Sequence, residues 1–220
     1  MKYFKNRVDA GKQLASALKP ASKDAIVLAI PRGGMVVGFE VAKALGVQLD
    51  VVITRKIGAP DNPELAIGAV AEDGTAILDD SIVGMLQVSK GYISEAVERQ
   101  KLEIKRRLLR YRGDVPYPSL KNREVIVVDD GVATGSTLKA AIMSIRKKGA
   151  RTIIVAVPVG PPDTVQKFSR LADRVVCLRM PEPFYAIGEF YDDFEQTEDE
   201  EVIKLLKMNK KRFQSKEDTQ

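Results

Sequence analysis

Short continuous runs of apolar residues recur along the chain, and each one stops at a loop of glycine, proline or charged residues. These runs cover residues 25–30, 49–54, 125–128, 151–157 and 174–177. Apolar runs of strand length without alternation are typical of parallel strands that are buried on both faces of a sheet. Between and around the runs, apolar residues recur at helical intervals in residues 4–18, 36–45, 138–148, 164–171 and 198–206. This alternation of strands and helices predicts an α/β domain.

The segment between the second and third runs has a different pattern. Residues 65–70 and 75–78 are predicted to be short strands joined by a turn at residues 72–74. A long helix at residues 92–112 follows, and its basic residues are Arg99, Lys101, Lys105, Arg106, Arg107, Arg110 and Arg112. Glutamates interspersed among them favour a solvated basic face. Contact with nucleic acid is the alternative, and the lack of interleaved aromatic residues disfavours it.

The most informative stretch is EVIVVDDGVATGST, at residues 124–137. Its strand ends in two carboxylates, Asp129 and Asp130, and a loop of small residues leads into the next helix. The loop residues are Gly131, Val132, Ala133, Thr134, Gly135, Ser136 and Thr137. Glycines permit tight turns and close backbone approach, and the free N–H groups at the start of a helix bind anions. The pattern predicts a phosphate site, although it lacks the lysine of a nucleotide-binding P-loop.

Two carboxylates beside a phosphate loop would repel the ligand unless the ligand also donates hydrogen bonds to them. A ribose 5-phosphate does so, because its hydroxyls can reach Asp129 and Asp130 while its phosphate lies in the loop. The sequence VIVVDDGVATGST resembles the phosphoribosyl pyrophosphate (PRPP) motif of type I phosphoribosyltransferases. The resemblance covers residues 25–178 and implies an open, mainly parallel five-stranded sheet with helices on both faces, a small hood and a helical insertion at about residues 80–120.

The resemblance also implies a role for the turn after the first strand, Pro31-Arg32-Gly33-Gly34. In this family that turn binds the pyrophosphate of PRPP, and a non-proline cis peptide bond would fall between Pro31 and Arg32. Gly33 and Gly34 would allow the backbone to approach the ligand, and Arg32 would supply a fork of donors for phosphate oxygens. The alternative is a solvent-exposed arginine in a structural turn.

Two further cations, Arg55 and Lys56, follow the run at residues 49–54. Family members often carry a basic residue here, before a loop that closes over PRPP, and residues 58–63 have loop composition. We interpret Lys56 as a pyrophosphate contact, with Arg55 next, and place Lys56 and Arg32 with Asp129 and Asp130 as the catalytic set. Two cations merely solvated at a strand end are the alternative.

Aromatic residues concentrate in residues 179–194, the segment that we call the hood. The order from Tyr185 to Asp192 is similar to the hood of purine phosphoribosyltransferases. That match implies that Tyr185 or its neighbour Phe184 stacks on a base, and that Asp192 approaches the metal-bound pyrophosphate. The base-reading lysine of those enzymes is absent, and Arg179 lies near its place. A purely structural aromatic cluster is the alternative.

Composition narrows the chemistry further. The chain has no histidine and one cysteine, Cys177, which excludes Ser-His-Asp and Cys-His catalysis, histidine metal ligation and internal disulfides. A divalent metal would therefore be held by carboxylate and substrate oxygens, which favours Mg²⁺, with Mn²⁺ as the alternative. The net charge of +5 suits an anionic substrate. The lack of a long apolar run predicts no membrane span and a cytoplasmic protein.

We interpret residues 1–207 as a single phosphoribosyltransferase domain and residues 208–220 as a disordered polar tail. The favoured function is transfer of the 5-phosphoribosyl group of PRPP to a nitrogen acceptor, such as a nucleobase in purine salvage, with release of pyrophosphate. One alternative is a regulator that senses PRPP or a nucleotide and binds nucleic acid with little turnover. Another is a PRPP-dependent transferase with an amine acceptor. The resemblance implies a homodimer.

Overall fold

The computed structural model describes residues 3–18 and 22–217. In chain order its elements are α1 (Arg7–Ala17), β1 (Ile26–Ala29), α2 (Gly33–Leu45), β2 (Gln48–Val51), β3 (Thr54–Gly58), β4 (Ala66–Ala71), β5 (Ala76–Leu78), α3 (Asp80–Met85), α4 (Lys90–Arg112), β6 (Glu124–Val128), α5 (Ser136–Lys147), β7 (Thr152–Val159), α6 (Pro162–Phe168), β8 (Arg174–Arg179), a short 3-10 helix (Ile187–Phe190) and α7 (Asp199–Glu217).

Five strands form one sheet in the order β2-β1-β6-β7-β8, and every neighbouring pair in it is parallel. This arrangement confirms the predicted five-stranded α/β sheet. The chain begins in the sheet at β1, adds β2 on one side and later adds β6 on the other side. The carboxyl ends of β1 and β6 therefore lie side by side, at the kind of position where open α/β sheets bind ligands.

Alternate residues of the central strands contribute to two separate cores, one on each face of the sheet. In β1, Val27 and Ala29 belong to the first core, whereas Ile26 and Leu28 belong to the second. Helices α1, α2, α4 and α7 supply residues to the first core, and α5 and α6 supply the second. Helices thus cover both faces, and burial on both sides explains why these strands have continuous apolar sequences.

A second sheet consists of three antiparallel strands in the order β3-β4-β5. The hairpin of β4 and β5 agrees with the sequence prediction, but β3 corrects the interpretation of residues 49–54 as one strand. The strand of the main sheet ends at Val51, and a strand of the second sheet begins at Thr54. The two residues between them, Val52 and Ile53, are also buried, so the hydrophobic pattern contains no sign of the break.

The C-terminal helix α7 corrects the prediction of a disordered tail from residue 208, because the helix continues to Glu217. Residues 218–220 lie outside the described part of the chain. Asn209 anchors this last part of α7 to β2 and to the residue before that strand. Its buried side chain accepts a hydrogen bond from the Leu49 N–H at 2.9 Å and donates one to the Val47 carbonyl oxygen at 3.4 Å. Asn209 is polar and lysines lie near it in the sequence, so this part of the helix has no apolar periodicity from which it could be predicted.

The long helix predicted at residues 92–112 is present as α4, which begins after Ser89. The Ser89 hydroxyl accepts a hydrogen bond from the Tyr92 N–H at 3.2 Å and caps the helix. Within the described residues, every helix falls short of the length or the apolar content that a membrane crossing requires.

Candidate functional site

The acidic pair follows β6 directly and packs against the glycine turn that follows β1. A Cβ atom built on Gly33 would lie 1.9 Å from Asp130 Oδ2, and one built on Gly34 would lie 2.8 Å from Asp129 Oδ1. Only glycine fits at these two positions without displacing a carboxylate. The sequence analysis predicted all four of these residues to be part of the site. The structure brings the two glycines into contact with the two aspartates, although more than ninety residues separate the two pairs in the chain.

Asp130 is buried and Asp129 is half-buried. Asp129 Oδ1 accepts a hydrogen bond from the Asp130 N–H at 2.9 Å. Burial raises the pKa of Asp129 well above its usual range, and the nearby charge of Asp130 raises it further. Burial also raises the pKa of Asp130, against the opposing effect of Arg7. Ligand groups that donate hydrogen bonds or carry positive charge would be stabilised beside such a pair.

The partner of Asp130 is Arg7, a residue that the sequence analysis did not identify. Its Nε donates to Asp130 Oδ2 at 2.7 Å, and its NH1 donates to the Glu195 carbonyl oxygen at 2.6 Å. The guanidinium carbon also lies 3.7 Å from the centroid of the Phe194 ring. Arg7 is the first residue of α1, which the Asn6 side chain caps. In the sequence it was indistinguishable from an ordinary helical arginine.

The predicted phosphate loop connects the acidic pair to α5. Gly135 has a φ of +80° and precedes the first turn of α5, whose N-terminal N–H groups have no side-chain cap among the described residues. The Val132 N–H donates to the Val159 carbonyl oxygen at 2.9 Å, and the Thr164 hydroxyl donates to the Ala133 carbonyl oxygen at 2.8 Å. Ala133 and Thr134 are exposed. These hydrogen bonds fix the loop against β7 and α6. The backbone N–H groups at the start of α5 then face solvent, where they could bind an anion.

The turn after β1 contains a cis peptide bond between Pro31 and Arg32, as the resemblance implied. The Arg32 side chain is about one-third exposed, and its NH1 lies 3.5 Å from Glu198 Oε2 and 3.9 Å from Asp199 Oδ1. Asp199 is in turn held by Arg110 and by the Tyr111 hydroxyl. The arginine therefore faces the start of α7, with loose ion pairs that an anionic ligand could replace.

Arg55 and Lys56 lie inside β3, so the prediction that they end a strand of the main sheet is wrong. Neighbouring residues of a strand point to opposite faces. Arg55 is half-buried, and its Nε donates to Gln100 Oε1 on α4 at 3.0 Å. Lys56 is exposed on the other face. This arrangement separates the two cations, and only Lys56 is directed to solvent.

The hood is tied to the acidic pair by its aromatic residues. The Tyr191 hydroxyl donates to the Asp130 carbonyl oxygen at 2.5 Å, and a Cβ built on Gly131 would lie 2.5 Å from Ile187 Cγ2. Phe184 packs on Phe190 with ring centroids 5.1 Å apart. Tyr185, in contrast, is 77% exposed, so of the two predicted stacking residues it is the one with a free ring face. Asp192 is exposed, and its backbone N–H donates to the Phe4 carbonyl oxygen.

The acidic residues of the site have the chemistry of magnesium ligands. Among the described residues no three His, Cys, Asp or Glu side chains come together as a ready metal cluster. Mg²⁺ binds through one or two carboxylates together with phosphate oxygens and water, in contrast to metals that need a complete protein cage. Asp192, with its exposed side chain, is a carboxylate of that kind, whereas Asp130 is buried and paired with Arg7.

Comparisons with known proteins identify the family to which this chain belongs. A family model described as "Phosphoribosyl transferase domain" matches residues 4–195. A Mycobacterium tuberculosis protein, provisionally named a phosphoribosyl transferase, is 45% identical over 207 residues, which cover 94% of this chain and 47% of that protein. An adenine phosphoribosyltransferase of Rhodococcus opacus is 30% identical over 142 residues, or 64% of this chain and 59% of the relative. The chain spans about half the length of the mycobacterial relative.

A solved structure is also similar to this chain in sequence and in fold. The crystal structure of a protein from Thermus thermophilus matches with a TM-score of 0.79 and 42% identity, covering 94% of this chain and 98% of that one. A uracil phosphoribosyltransferase of Lactobacillus gasseri is 29% identical over 139 residues, or 61% of this chain and 63% of the relative. The sequence relatives thus include proteins named for a pyrimidine and for a purine.

Proposed function

The chain belongs to the phosphoribosyltransferase family, and from that premise we propose that it transfers the 5-phosphoribosyl group of PRPP to a nitrogen acceptor with release of pyrophosphate. The observation that carries the proposal is the contact between the acidic pair and the glycine turn, next to the uncapped start of α5. These three features support the proposal, because they would supply acceptors for ribose hydroxyls, backbone donors for the pyrophosphate and donors for the 5-phosphate at one edge of the sheet.

Each part of PRPP has a binding group in this proposal. The 5-phosphate lies on the loop of residues 131–137, where the N–H groups of the first turn of α5 face it. The ribose hydroxyls donate to the acidic pair. The pyrophosphate lies against Gly33 and Gly34, where Arg32 and the exposed Lys56 supply positive charge. Arg32 can exchange its loose contacts with Glu198 and Asp199 for phosphate oxygens, because ion pairs that are this long and partly exposed contribute little.

Reaction at C1 follows from these positions. The bond between C1 and the pyrophosphate oxygen breaks with its electron pair, and the acceptor nitrogen forms a bond to C1 from the opposite face and then loses its proton. The residues of the chain act by orientation and by stabilising the charge that develops on the pyrophosphate. When bound, Mg²⁺ would supply positive charge to the pyrophosphate and ribose oxygens, with Asp192 proposed as a protein carboxylate on that side.

The hood favours a nucleobase as the acceptor. Tyr185 has an exposed ring at the edge of an aromatic cluster whose other members pack on one another. A planar heterocycle could stack on that ring, and such stacking contributes about 1–3 kcal/mol per base. Relatives named for uracil and for adenine agree with a nucleobase but leave its identity to experiment. A homodimer and a cytoplasmic location stay predictions.

The alternative of a regulator that binds nucleic acid finds little support in α4. Carboxylates pair with five of its eight basic side chains: Lys101, Arg106, Arg107, Arg110 and Arg112. Glu103 accepts hydrogen bonds from both Arg106 and Arg107, which lowers the pKa of Glu103 to about 2. Paired cations offer little free charge to a phosphate backbone, so the transferase is the better proposal.

The decisive experiment is calorimetric titration of the full chain with PRPP and Mg²⁺, followed by pyrophosphate-release assays with a panel of purine and pyrimidine bases. The double variant Asp129→Asn with Asp130→Asn should lose PRPP binding, whereas Asp114→Asn, an exposed aspartate on the loop after α4, should bind as the wild type does. Because the double variant also loses the ion pair between Asp130 and Arg7, its fold is checked by circular dichroism before the titration. Unchanged PRPP affinity in the folded double variant would refute the assignment.

The acceptor proposal has its own readout. Tyr185→Ala should raise the KM for the active base about tenfold or more and leave the KM for PRPP near the wild-type value. Phe184→Ala, which removes a ring packed on Phe190, should instead lower stability. Turnover on no base, combined with tight PRPP binding, would favour an amine acceptor or a regulator.

A further inference from the structure

Arg7 links three parts of the molecule that the transfer reaction must bring together. Its guanidinium bonds to the acidic pair through Asp130, to the chain directly after the hood through the Glu195 carbonyl oxygen, and to the hood itself through the face of the Phe194 ring. The Arg7 side chain is only 11% exposed, and its ion pair with Asp130 is shielded, whereas its bond to the Glu195 carbonyl oxygen lies at the surface. A solvated lysine or arginine on the same helix would make none of them.

The position of Arg7 is fixed by a strand-like contact between the N-terminal segment and the hood. The N–H groups of Tyr3 and Phe4 both donate to the Phe190 carbonyl oxygen, at 3.0 and 3.1 Å. The Asp192 N–H returns a bond to the Phe4 carbonyl oxygen at 2.9 Å. Helix α1 then begins only three residues later, so movement of the hood carries the start of α1 and Arg7 with it.

A second connection closes a ring of contacts around Asp130. Phe194, which supports Arg7, packs on Tyr191 with ring centroids 4.9 Å apart. The Tyr191 hydroxyl donates to the Asp130 backbone carbonyl oxygen at 2.5 Å. The hood therefore holds Asp130 at two points, its side chain through Arg7 and its backbone through Tyr191. Because Asp130 Oδ2 also lies against Gly33, the turn assigned to pyrophosphate belongs to the same contact network.

We propose that Arg7 is a positioning residue that couples the hood to the acidic pair, so that PRPP bound at the aspartates orders the hood for the acceptor. The inference rests on the proposed function, because it takes PRPP as the ligand of the acidic pair. Arg7 itself contacts no reacting atom in this scheme. When Asp130 moves, Arg7 moves Phe194 and Glu195 with it. When Phe194 and Glu195 move, Arg7 in turn moves Asp130.

The geometry also says which substitutions separate this role from simple packing. Lysine at position 7 keeps one positive charge but cannot donate to Asp130 and to the Glu195 carbonyl oxygen in the planar geometry of a guanidinium. Phe194→Leu keeps an apolar side chain beside Tyr191 but removes the ring face under Arg7. Lys12→Gln is the matched control for Arg7→Gln, because Lys12 is an exposed residue of α1 and its loss changes the net charge equally.

The test measures hydrogen–deuterium exchange in peptides covering residues 187–195, with and without saturating PRPP and Mg²⁺, after calorimetry has given each variant's PRPP affinity. In the wild type and in Lys12→Gln, PRPP should slow exchange in these peptides. In Arg7→Lys and Arg7→Gln, PRPP affinity should fall about tenfold or more, and the hood should no longer respond even when the site is saturated. Phe194→Leu should weaken that response while changing PRPP affinity less than Arg7→Gln does.

The outcomes separate this inference from the proposed function. If the wild type binds PRPP and Arg7→Lys shows the full hood response at saturation, Arg7 is only a packing residue and the inference is wrong. If Arg7→Gln does not fold, Arg7→Lys and Phe194→Leu still decide the question. If the wild type binds no PRPP, the proposed function itself fails, and the coupling role assigned to Arg7 fails with it.

Discussion

Gly33→Ala tests the contact between the glycine turn and the acidic pair most directly. The added Cβ would lie 1.9 Å from Asp130 Oδ2 and 2.7 Å from Arg7 Nε, whereas ordinary contacts of this kind begin at 3.4 Å. The carboxylate would have to move by about 1.5 Å, which is more than a hydrogen bond of 2.7 Å tolerates. The substitution therefore separates Asp130 from Arg7.

The expected loss of stability follows from that broken bond. A hydrogen bond that involves a charged group contributes about 1.5–3 kcal/mol. The loss approaches about 3–5 kcal/mol if the two charges stay buried without each other. Gly33 does not have a positive φ, so backbone strain adds nothing. We expect Gly33→Ala to lower the free energy of unfolding by about 2–4 kcal/mol and to abolish measurable PRPP binding.

Urea unfolding followed by circular dichroism gives the stability, and calorimetric titration gives the affinity. Gly84→Ala is the matched control, because a Cβ at that helical position meets nothing within 4 Å. Replacing a helical glycine by alanine there should stabilise by up to about 1 kcal/mol. If Gly33→Ala matched Gly84→Ala in stability and retained PRPP affinity, the close packing of the turn on Asp130 would be wrong.

Two further predictions concern buried polar groups away from the crevice. Arg112→Leu leaves Asp50 buried without its 2.9 Å ion pair and should lower the free energy of unfolding by about 3–5 kcal/mol at pH 7. Because burial already raises the pKa of Asp50, this loss of stability should shrink as the pH falls and the carboxyl becomes protonated. Thermal unfolding of both proteins between pH 7 and pH 4 measures the loss. A loss that is independent of pH would contradict the prediction. Asn209→Ala leaves the Leu49 N–H without a partner and should lower the free energy of unfolding, measured in urea, by about 1–3 kcal/mol. Lys210→Ala, at an exposed position, should change it by less than about 0.5 kcal/mol. Equal effects of the two substitutions would argue against anchoring of α7.

The core of the site could be predicted from the sequence because its determinants are local. A buried strand, two aspartates, a small-residue loop and a helix follow one another within residues 124–147. The glycine turn after β1 repeats the same order. Parallel strands place the two turns at one edge of the sheet, so the contact of Gly33 and Gly34 with the acidic pair follows from topology once β1 and β6 are neighbours.

The features that sequence reasoning missed depend on contacts between distant segments. Arg7 reaches Asp130 across 123 residues, and no local pattern distinguishes it from the other basic residues of the chain. The division between β2 and β3 falls inside a run of buried apolar residues, where the choice of sheet is decided by pairing with β4. In the last part of α7, the buried Asn209 bonds to Leu49 and Val47, about 160 residues earlier in the chain. In each case the deciding partner lies elsewhere in the chain.

The two aspartates of the site are therefore unequal, although they are neighbours in the sequence. Asp130 has its charge balanced by Arg7 and its backbone held by Tyr191, whereas Asp129 has no salt bridge within residues 3–18 and 22–217. Burial and the neighbouring charge of Asp130 raise the pKa of Asp129. A ligand group that donates a hydrogen bond to the Asp129 carboxylate would stabilise its charged form. In the proposed function Asp129 is therefore the carboxylate available to a ribose hydroxyl, whereas Asp130 is the one that Arg7 and Tyr191 hold.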